Sequence, residues 1–158
     1  MQYTVGISEL RATDQRGDVL VTYSLGSCIG LTLYDPAAGV GGMVHCMLPL
    51  SRINPAKAGQ NPAMFVDTGV PALLEKLFAL GAERERLVAN VAGAATLLDE
   101  RKLFRIGERN HTILRKTLWR NDILIAGADV GGTVARTMCL RMSTGQTTIR
   151  SGGREVPL

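Results

Sequence analysis

The segment TYSLGSCIGLTLYDPAAGVGGMVHCMLP, residues 22–49, consists of two apolar runs on either side of the turn sequence Asp-Pro-Ala-Ala-Gly. Apolar runs that flank Pro and Gly in this way are typical of two strands joined by a short loop. If residues 35–38 form the loop, the numbers of paired residues sum to 73 and Cys28 lies opposite His45. Opposed residues in an antiparallel pair have Cβ atoms about 5 Å apart. The segment therefore predicts a hairpin that brings a thiol to an imidazole.

Cys28 and His45 are the candidate catalytic pair. Cysteine is nucleophilic as the thiolate, and a neighbouring imidazole is the usual base that generates a thiolate at neutral pH. Each residue alone also has a structural interpretation, because cysteine is often buried and a histidine in an apolar strand is commonly part of the core. The predicted pairing favours the catalytic interpretation, and it assumes that no β-bulge occurs at Gly41-Gly42.

Three further residues are candidate supporting groups around Cys28. Thr22 is expected at the end of the preceding strand, where its hydroxyl can orient the imidazole as a carboxylate or Asn does in other triads. Gly26 and Ser27 form a turn with Cys28, and the backbone N–H groups around Ser27 and Cys28 are the best candidates for an oxyanion hole. The Ser27 hydroxyl is a weaker candidate. This pattern allows acyl transfer, with Cys28 attacking a carbonyl carbon and His45 transferring protons.

The other cysteines and the second histidine are interpreted as structural or surface residues. Cys46 alternates away from His45 and is expected in the core, Cys139 lies in the middle of a predicted strand, and His111 lies at a predicted helix start. No cluster of His and carboxylate residues completes a four-ligand metal shell. The Gly-rich residues 129–133 match neither a phosphate-binding loop nor a dinucleotide-binding motif. We therefore expect no metal and no cofactor.

The composition predicts a single globular domain, residues 1–158, with 46% hydrophobic and 20% charged residues. The three cysteines have unrelated spacings, which favours a reducing compartment over a disulfide framework. The opening sequence MQYTVGISELRATD has neither the basic nor the apolar region of a signal peptide. No uncharged apolar run approaches the length that spans a bilayer. We therefore expect a cytoplasmic protein without membrane insertion.

A basic run within residues 101–120 contributes much of the net charge of +4. Its members are Arg101, Lys102, Arg105, Arg109, Arg115, Lys116 and Arg120. Such a run fits an acidic partner surface or nucleic acid, and it equally fits the solvated face of a helix. The run lacks the repeated alternation of aromatic and basic residues that a single-strand-binding platform needs. We therefore expect no nucleic-acid partner.

The rest of the chain predicts strands and helices in mixed order. Predicted strands cover residues 2–8, 18–23, 86–92 and 123–128, and a final hairpin pairs residues 136–142 with residues 147–150. Alternation places Met138, Leu140 and Met142 on one face of that hairpin. Residues 9–17 and 50–60 are predicted loops. With about seven strands and two or three helices, the expected fold is an α+β, or mixed α/β, layered sandwich of mixed or antiparallel sheet.

Two helices are predicted from apolar periodicity and capping residues. Residues 61–81 begin with Asn-Pro and end with Gly, which predicts one helix that is kinked near Pro71. The alternative is a helix that starts at residue 67 or 68, with Pro71 in its first turn. Residues 110–120 form the other predicted helix, with Asn110 as its N-cap.

The spacing Thr22-x5-Cys28-x16-His45, within VTYSLGSCIGLTLYDP and GGMVHCMLP, resembles that of the CheD family of chemoreceptor glutamine deamidases. The resemblance covers nearly the whole chain and continues through Asp67-Thr68, IGERN at residues 106–110 and GGTVAR at residues 131–136. It implies a Cys–His–Thr site on a layered α/β sandwich similar to the catalytic domains of deamidating bacterial toxins.

The resemblance also implies an activity, which is the hydrolysis of specific glutamine side chains on methyl-accepting chemotaxis receptors to glutamate with release of ammonia. Some family members also hydrolyse glutamyl methyl esters, and members bind a CheC-type phosphatase. The chain departs from the family's usual Gly-Gly-Ala followed by Met or Phe, because residues 93–98 read GAATLL. Two alternatives remain open: a non-catalytic signalling module that binds the phosphatase, and a cysteine peptidase. The peptidase is disfavoured, since no feature of the sequence indicates a cleft for an extended substrate.

Overall fold

The computed structural model describes residues 1–96 and 105–158 of the chain. These residues form two five-stranded sheets that face each other, with two long helices packed on the outer face of the second sheet. One apolar cluster fills the space between the sheets, and a second fills the space between the second sheet and the helices. The order of the layers is therefore sheet, sheet, helix, which confirms the predicted α+β layered sandwich.

The strands of the described residues are β1 (Gln2–Thr4), β2 (Leu10–Thr13), β3 (Val19–Leu25), β4 (Ile29–Asp35), β5 (Val40–Cys46), β6 (Val88–Gly93), β7 (Ile125–Val130), β8 (Arg136–Arg141), β9 (Gln146–Ser151) and β10 (Arg154–Pro157). The first sheet has the order β1-β3-β8-β9-β10, and the second has the order β2-β5-β4-β6-β7. Each sheet is mixed, because β1 pairs parallel to β3 and β6 pairs parallel to β7 while the other pairs are antiparallel.

The α-helices of the described residues are α1 (Pro55–Gln60), α2 (Val66–Ala79) and α3 (Ile106–Arg120). Short 3₁₀ turns cover Ser51–Ile53, Pro62–Met64 and Arg84–Arg86. No helix of the described ranges is both long and apolar enough to cross a bilayer. Helices α2 and α3 contact each other and bury Leu73, Leu77, Leu114 and Leu118 against the second sheet.

Strand alternation explains how one sheet serves two apolar clusters. In β5, Val44 and Cys46 face the helices, whereas Met43 faces the first sheet. The prediction for the last hairpin is confirmed by the same rule, since Met138, Leu140 and Met142 all lie in the cluster between the sheets. The face on which each functional side chain lies is therefore fixed by its position along the strand.

The predicted helix over residues 61–81 is wrong as a single kinked element. A 3₁₀ turn, Pro62–Met64, is followed by an extended Phe65, and α2 then begins at Val66. The extended residue allows the Met47 and Leu48 N–H groups to bond the Met64 carbonyl, so tertiary pairing interrupts the helix. The predicted end at Gly81 is confirmed, because Gly81 has a φ of +105° that glycine adopts without strain.

Other differences arise where the local sequence signal is weak. Strand β2 lies inside the predicted loop at residues 9–17, where four residues, two apolar and two polar, become an edge strand by pairing with β5. Helix α1 lies inside the predicted loop at residues 50–60, and β10 was not predicted. Helix α3 begins at Ile106, four residues before the predicted cap, so Asn110 lies within the helix.

Candidate active site

The pairing of β4 with β5 differs from the predicted register by two residues. Asp35 pairs with Val40 and Gly30 pairs with His45, so the paired numbers sum to 75 and the pairing is continuous through Gly41-Gly42. The predicted direct opposition of Cys28 and His45 is therefore wrong. The cause is the Asp35 side chain, which accepts hydrogen bonds from two turn N–H groups and so keeps Asp35 as the last residue of β4.

A shift of two residues does not change the face on which a side chain lies. Cys28 immediately precedes β4, is half-buried and packs against the apolar cluster between the sheets. His45 is completely buried, and its ring contacts Thr22 of the first sheet. The thiol and the imidazole therefore both border the space between the two sheets, at the end of the hairpin that is remote from its turn.

Thr22 determines which ring nitrogen of His45 carries the proton. The Thr22 hydroxyl donates its single hydrogen to the Val5 carbonyl at 2.6 Å, and its oxygen lies 2.7 Å from His45 Nδ1. Since the hydroxyl hydrogen is already used, Nδ1 must be the donor in the second bond. His45 consequently has its proton on Nδ1 and a lone pair on Nε2, which is the tautomer that a general base needs.

The environment of His45 keeps the ring neutral. Burial lowers the pKa of His45 to about 4, because the protein interior disfavours the imidazolium ion. Nε2 is buried and has no hydrogen-bond partner among residues 1–96 and 105–158. A buried acceptor without a partner is costly and requires an explanation, and a catalytic role is one such explanation. The ring therefore presents an unused basic nitrogen at neutral pH.

The segment from Gly26 to Cys28 is held by its carbonyl groups. The Ala95 N–H donates to the Gly26 carbonyl at 2.8 Å, and the Ala94 N–H donates to the Cys28 carbonyl at 2.9 Å. The Ser27 carbonyl accepts from a side chain of α3 at 2.9 Å. In a trans peptide the C=O and N–H groups point in opposite directions, and no described peptide is cis. The N–H groups of Ser27 and Cys28 therefore point away from the segments that hold the carbonyls.

Two glycines allow these close backbone contacts. Gly93 has a φ of +107°, and a Cβ atom at this position would collide with the Cys28 carbonyl oxygen. A Cβ atom at Gly107, in the first turn of α3, would lie 2.7 Å from the carbonyl oxygens of both Ala94 and Ala95. The cysteine segment, residues 93–95 and the start of α3 can therefore pack backbone against backbone.

Asn110 is the side chain of α3 that contacts the cysteine segment, and its predicted role as the helix N-cap is wrong. It was expected to cap the helix, but it is completely buried and its amide group donates to Ser27 O at 2.9 Å and to Met47 O at 3.1 Å. The spacing of four residues among Asn110, Leu114 and Leu118 is the signal that could have identified it. A polar residue on the buried stripe of a helix requires hydrogen-bond partners from elsewhere.

Both remaining cysteines are buried as predicted, whereas His111 lies in the second turn of α3 and is half-buried, not at the helix start on the surface. Cys46 is buried beside α2, and burial, together with the charges of Cys28 and Asp67, raises the pKa of its thiol. Cys139 is buried on the outer face of the first sheet, and burial raises the pKa of its thiol. His111 is half-buried on α3, beside the Arg115 guanidinium. Among the three cysteines, Cys28 is the most accessible.

The basic run forms part of an exposed face of α3 near the site. Arg101 and Lys102 lie outside the described residues, whereas Arg105, Arg109, Arg115, Lys116 and Arg120 are exposed. A groove of about 390 Å³ lies beside the start of α3 and is lined by Pro49, Leu50, Arg105, Glu108, Arg109, Thr112 and Ile113. Of residues 93–98, the segment that departs from the usual pattern of the resembled family, Leu97 and Leu98 also lie outside the described residues.

Comparisons with known proteins identify one family. The family model described as CheD chemotactic sensory transduction matches residues 47–151. "Probable chemoreceptor glutamine deamidase CheD" of Solibacter usitatus is 47% identical over 99% of this chain and 93% of its own length. The corresponding proteins of Syntrophus aciditrophicus and Anaeromyxobacter dehalogenans are 44% and 41% identical, over 94% and 98% of this chain and 93% and 98% of their own lengths. The range of the family model begins at residue 47 and so does not include Thr22, Cys28 or His45. The alignments with these relatives do include the segment that contains these three residues.

Proposed function

The chain belongs to the CheD family, and we propose that it is a cysteine-dependent deamidase that converts glutamine side chains of chemoreceptors to glutamate. The names of the relatives support this choice of substrate, since the three relatives described above are each named a probable chemoreceptor glutamine deamidase. The observation that carries the proposed chemistry is the hydrogen-bond chain from Val5 O through Thr22 to His45, which leaves a basic Nε2 without a partner beside the Cys28 segment.

The first half of the proposed reaction forms a thioester. The Cys28 thiol transfers its proton to His45 Nε2 as the sulfur attacks the carboxamide carbon of glutamine, which forms a C–S bond and a tetrahedral oxyanion. The N–H groups of Ser27 and Cys28 stabilise this oxyanion. When the oxyanion collapses, the C–N bond breaks and His45 gives its proton to the departing nitrogen, which leaves as ammonia.

The second half hydrolyses the thioester. Neutral His45 takes a proton from a water molecule, whose oxygen attacks the thioester carbon, and the C–S bond then breaks to release the Cys28 thiolate and a glutamic acid side chain, which loses its proton to solvent and becomes glutamate. His45 returns its proton to that thiolate. Thr22 keeps the imidazole in one tautomer and one orientation through both halves. A glutamyl methyl ester enters the same sequence with methanol as the leaving group.

The proposed site includes a docking surface for the receptor. The groove beside Arg105 and Arg109 lies at the same end of α3 as Asn110, which holds the cysteine segment, and the other exposed basic residues follow along the helix. An acidic receptor surface would bind there by charge complementarity, which salt weakens over the range where the Debye length falls below about 10 Å. We place the reaction in the cytoplasm, where the three cysteines stay reduced. A CheC-type phosphatase is a further proposed partner.

The test of the proposed function is mass spectrometry of a purified receptor cytoplasmic domain. Wild-type protein should add about one mass unit to each modified glutamine, because water replaces ammonia. Cys28→Ala should add none, while Cys139→Ala serves as a matched control and should act as wild type.

Three other results would contradict the proposal in distinguishable ways. Cleaved receptor chain would indicate a peptidase. Conversion by Cys28→Ala at the wild-type rate would show that the nucleophile is wrong. An inactive wild type that binds a CheC-type phosphatase would favour the non-catalytic module.

The docking surface has its own test, which is the rate of deamidation at low and high salt. A rate that does not change with salt would show that the basic face of α3 is a solvated surface and does not bind the receptor.

A further inference from the structure

Asn110 is an unusual residue for its place in the fold. It lies on the buried stripe of α3 with Leu114 and Leu118 and is completely inaccessible to solvent. Its Oδ1 is buried and has no hydrogen-bond partner among the residues that the structure describes. Leucine has the same branched shape and would avoid an unsatisfied buried acceptor, which is costly. The hydrogen bonds of its Nδ2 group therefore have to explain why an amide side chain occupies this buried position.

The Nδ2 group connects the two segments that present the catalytic pair. One hydrogen goes to the carbonyl of Ser27, the residue before Cys28, and the other goes to the carbonyl of Met47, two residues after His45. Both hydrogens of the amide group are used, and no other side chain in the described residues bonds either carbonyl. A single side chain of α3 thus links the chain on the cysteine side to the chain on the histidine side.

The bond to Ser27 has a consequence on the far side of the same peptide. The Ser27 C=O and the Cys28 N–H belong to one planar trans unit, so the direction of the carbonyl sets the direction of the N–H group. We propose that Asn110 is a positioning residue for the deamidation proposed above, because it fixes the Ser27–Cys28 peptide so that the Cys28 N–H points at the oxyanion. This inference rests on the proposed function.

The neighbouring contacts support this role. Backbone N–H groups of Ala95 and Ala94 hold the carbonyls of Gly26 and Cys28, on either side of the Ser27 carbonyl. The three acceptors are consecutive along the chain, and the donor to the central one is a side chain. Preorganised donors contribute to catalysis because they need no reorientation when charge develops. Of the donors to these three carbonyls, Asn110 is accordingly the one that a side-chain substitution can remove while the backbone donors remain.

The test compares Asn110→Leu with Asn121→Leu, which makes the same change at the other end of α3. Asn121 bonds Thr117 O and Arg84 and lies away from the site. Three quantities are measured on each variant: kcat and KM for ammonia release from the receptor domain, and the rate of Cys28 alkylation by iodoacetamide. Alkylation reports the access and the thiolate fraction of Cys28 but forms no oxyanion.

If Asn110 orients an oxyanion donor, Asn110→Leu should lower kcat about tenfold to a hundredfold, less than the loss of a whole donor. KM and the alkylation rate should stay within about twofold of wild type, since neither involves the oxyanion. Asn110→Asp, which retains the shape and can donate one hydrogen when protonated, should have an intermediate kcat. Asn121→Leu should match wild type in all three quantities.

Several results would overturn the inference. Unchanged kcat in Asn110→Leu removes the role outright, and a parallel fall in alkylation means that Asn110 only holds the segment in place. If Asn110→Leu does not fold by circular dichroism, Asn110→Asp decides, and a wild-type kcat in that variant contradicts the proposal. A wild type that releases no ammonia, with Cys28 still alkylated, overturns the proposed function first and the positioning role with it.

Discussion

The β4–β5 hairpin has two ends that treat buried polar groups in opposite ways. At the turn, the completely buried carboxylate of Asp35 accepts from the N–H groups of Ala37, Ala38 and Glu83 and from Nε of Arg86. At the other end, His45 Nε2 and Asn110 Oδ1 are buried without partners in the described part of the chain. One end satisfies its charge completely, and the other leaves a base and an acceptor unused.

The electrostatic consequences of the two ends differ as well. Burial alone would raise the pKa of Asp35, but the Arg86 guanidinium and the N–H groups around the carboxylate hold that pKa well below its usual range. No such compensation exists for His45, whose pKa burial lowers to about 4. The charged group at the turn is stabilised by its neighbours, and the imidazole at the site is kept neutral by burial. The turn therefore stabilises the hairpin, whereas the site end holds two unsatisfied polar groups, of which His45 Nε2 is the base of the proposed reaction.

The largest expected effect comes from the site end. His45→Ala should lower kcat for deamidation about 10³-fold, because it removes the base for the thiol and the acid for ammonia. Because the removed ring is completely buried, kcat is compared per folded molecule, and circular dichroism checks the folding of the variant. His111→Ala is the matched control and should keep wild-type activity. A variant at position 45 with more than a tenth of wild-type kcat would show that another group carries the proton.

The turn end should respond in stability and not in chemistry. Asp35→Ala leaves three backbone N–H groups without their acceptor and breaks the bond to Arg86, so the free energy of unfolding should fall by about 3 kcal/mol. The kcat per folded molecule should remain within about twofold of wild type, because the turn is at the far end of the strands. Urea unfolding monitored by circular dichroism measures the first quantity. A loss below about 1 kcal/mol, or a tenfold lower kcat, would break the contrast between the two ends.

The same contrast explains what the sequence could predict. The two strands, the face of each residue and the core position of Cys46 follow from local alternation, which is why they were predicted correctly. The predicted strand register was wrong because Asp35 is the last residue of β4 and not part of the loop. The hydrophobic pattern does not show the hydrogen bonds that its side chain accepts from Ala37, Ala38 and Glu83. A shift by an even number of residues preserved the faces, so the candidate site survived the error.

The parts of the site that come from distant segments could not be predicted. The N–H groups of Ala94 and Ala95 reach the cysteine segment only because β6 pairs with β4 and is followed by a left-handed Ala94. Backbone donors carry no residue-type signature, so no motif marks them. Asn110 does have a signature, its place on an apolar stripe, but the hydrogen bonds that define its role cross 63 and 83 positions of sequence.

A smaller effect is expected at Thr22, the link between the site and the first sheet. Thr22→Val keeps the shape but removes the acceptor for His45 Nδ1–H and the donor to Val5 O. The tautomer is then no longer fixed, so kcat should fall about tenfold while Cys28 alkylation persists. Thr22→Ser retains the hydroxyl and should restore most of the activity. Equal activity of the Val and Ser variants would show that the hydroxyl does not orient the ring.

The smallest effect is a pH dependence that separates the two ends. The folded-state pKa of His45 lies below the unfolded value of about 6.5, so the unfolded chain binds more protons between pH 6.5 and 4. Stability from this group is complete above pH 6.5 and is lost as pH falls through that window, with about 1 kcal/mol gone by pH 5.5. The folded-state pKa of Asp35 is likewise depressed, and its contribution is lost only below about pH 4. Burial and the Arg115 charge also lower the pKa of His111, so its contribution likewise falls with pH, and the difference between wild type and His45→Gln isolates His45.

Urea unfolding at a series of pH values tests this separation. His45→Gln should remove part of the slope between pH 6.5 and 5 and leave the decline below pH 4, whereas Asp35→Asn should do the reverse. The acid limb of kcat/KM for deamidation should lie near pH 4 in wild type, because protonation of free His45 removes the base. An acid limb near the ordinary histidine value of about 6.5, with an unchanged stability slope in His45→Gln, would mean that the ring is not neutralised by burial. The two ends of the hairpin would then differ in hydrogen bonding alone and not in charge.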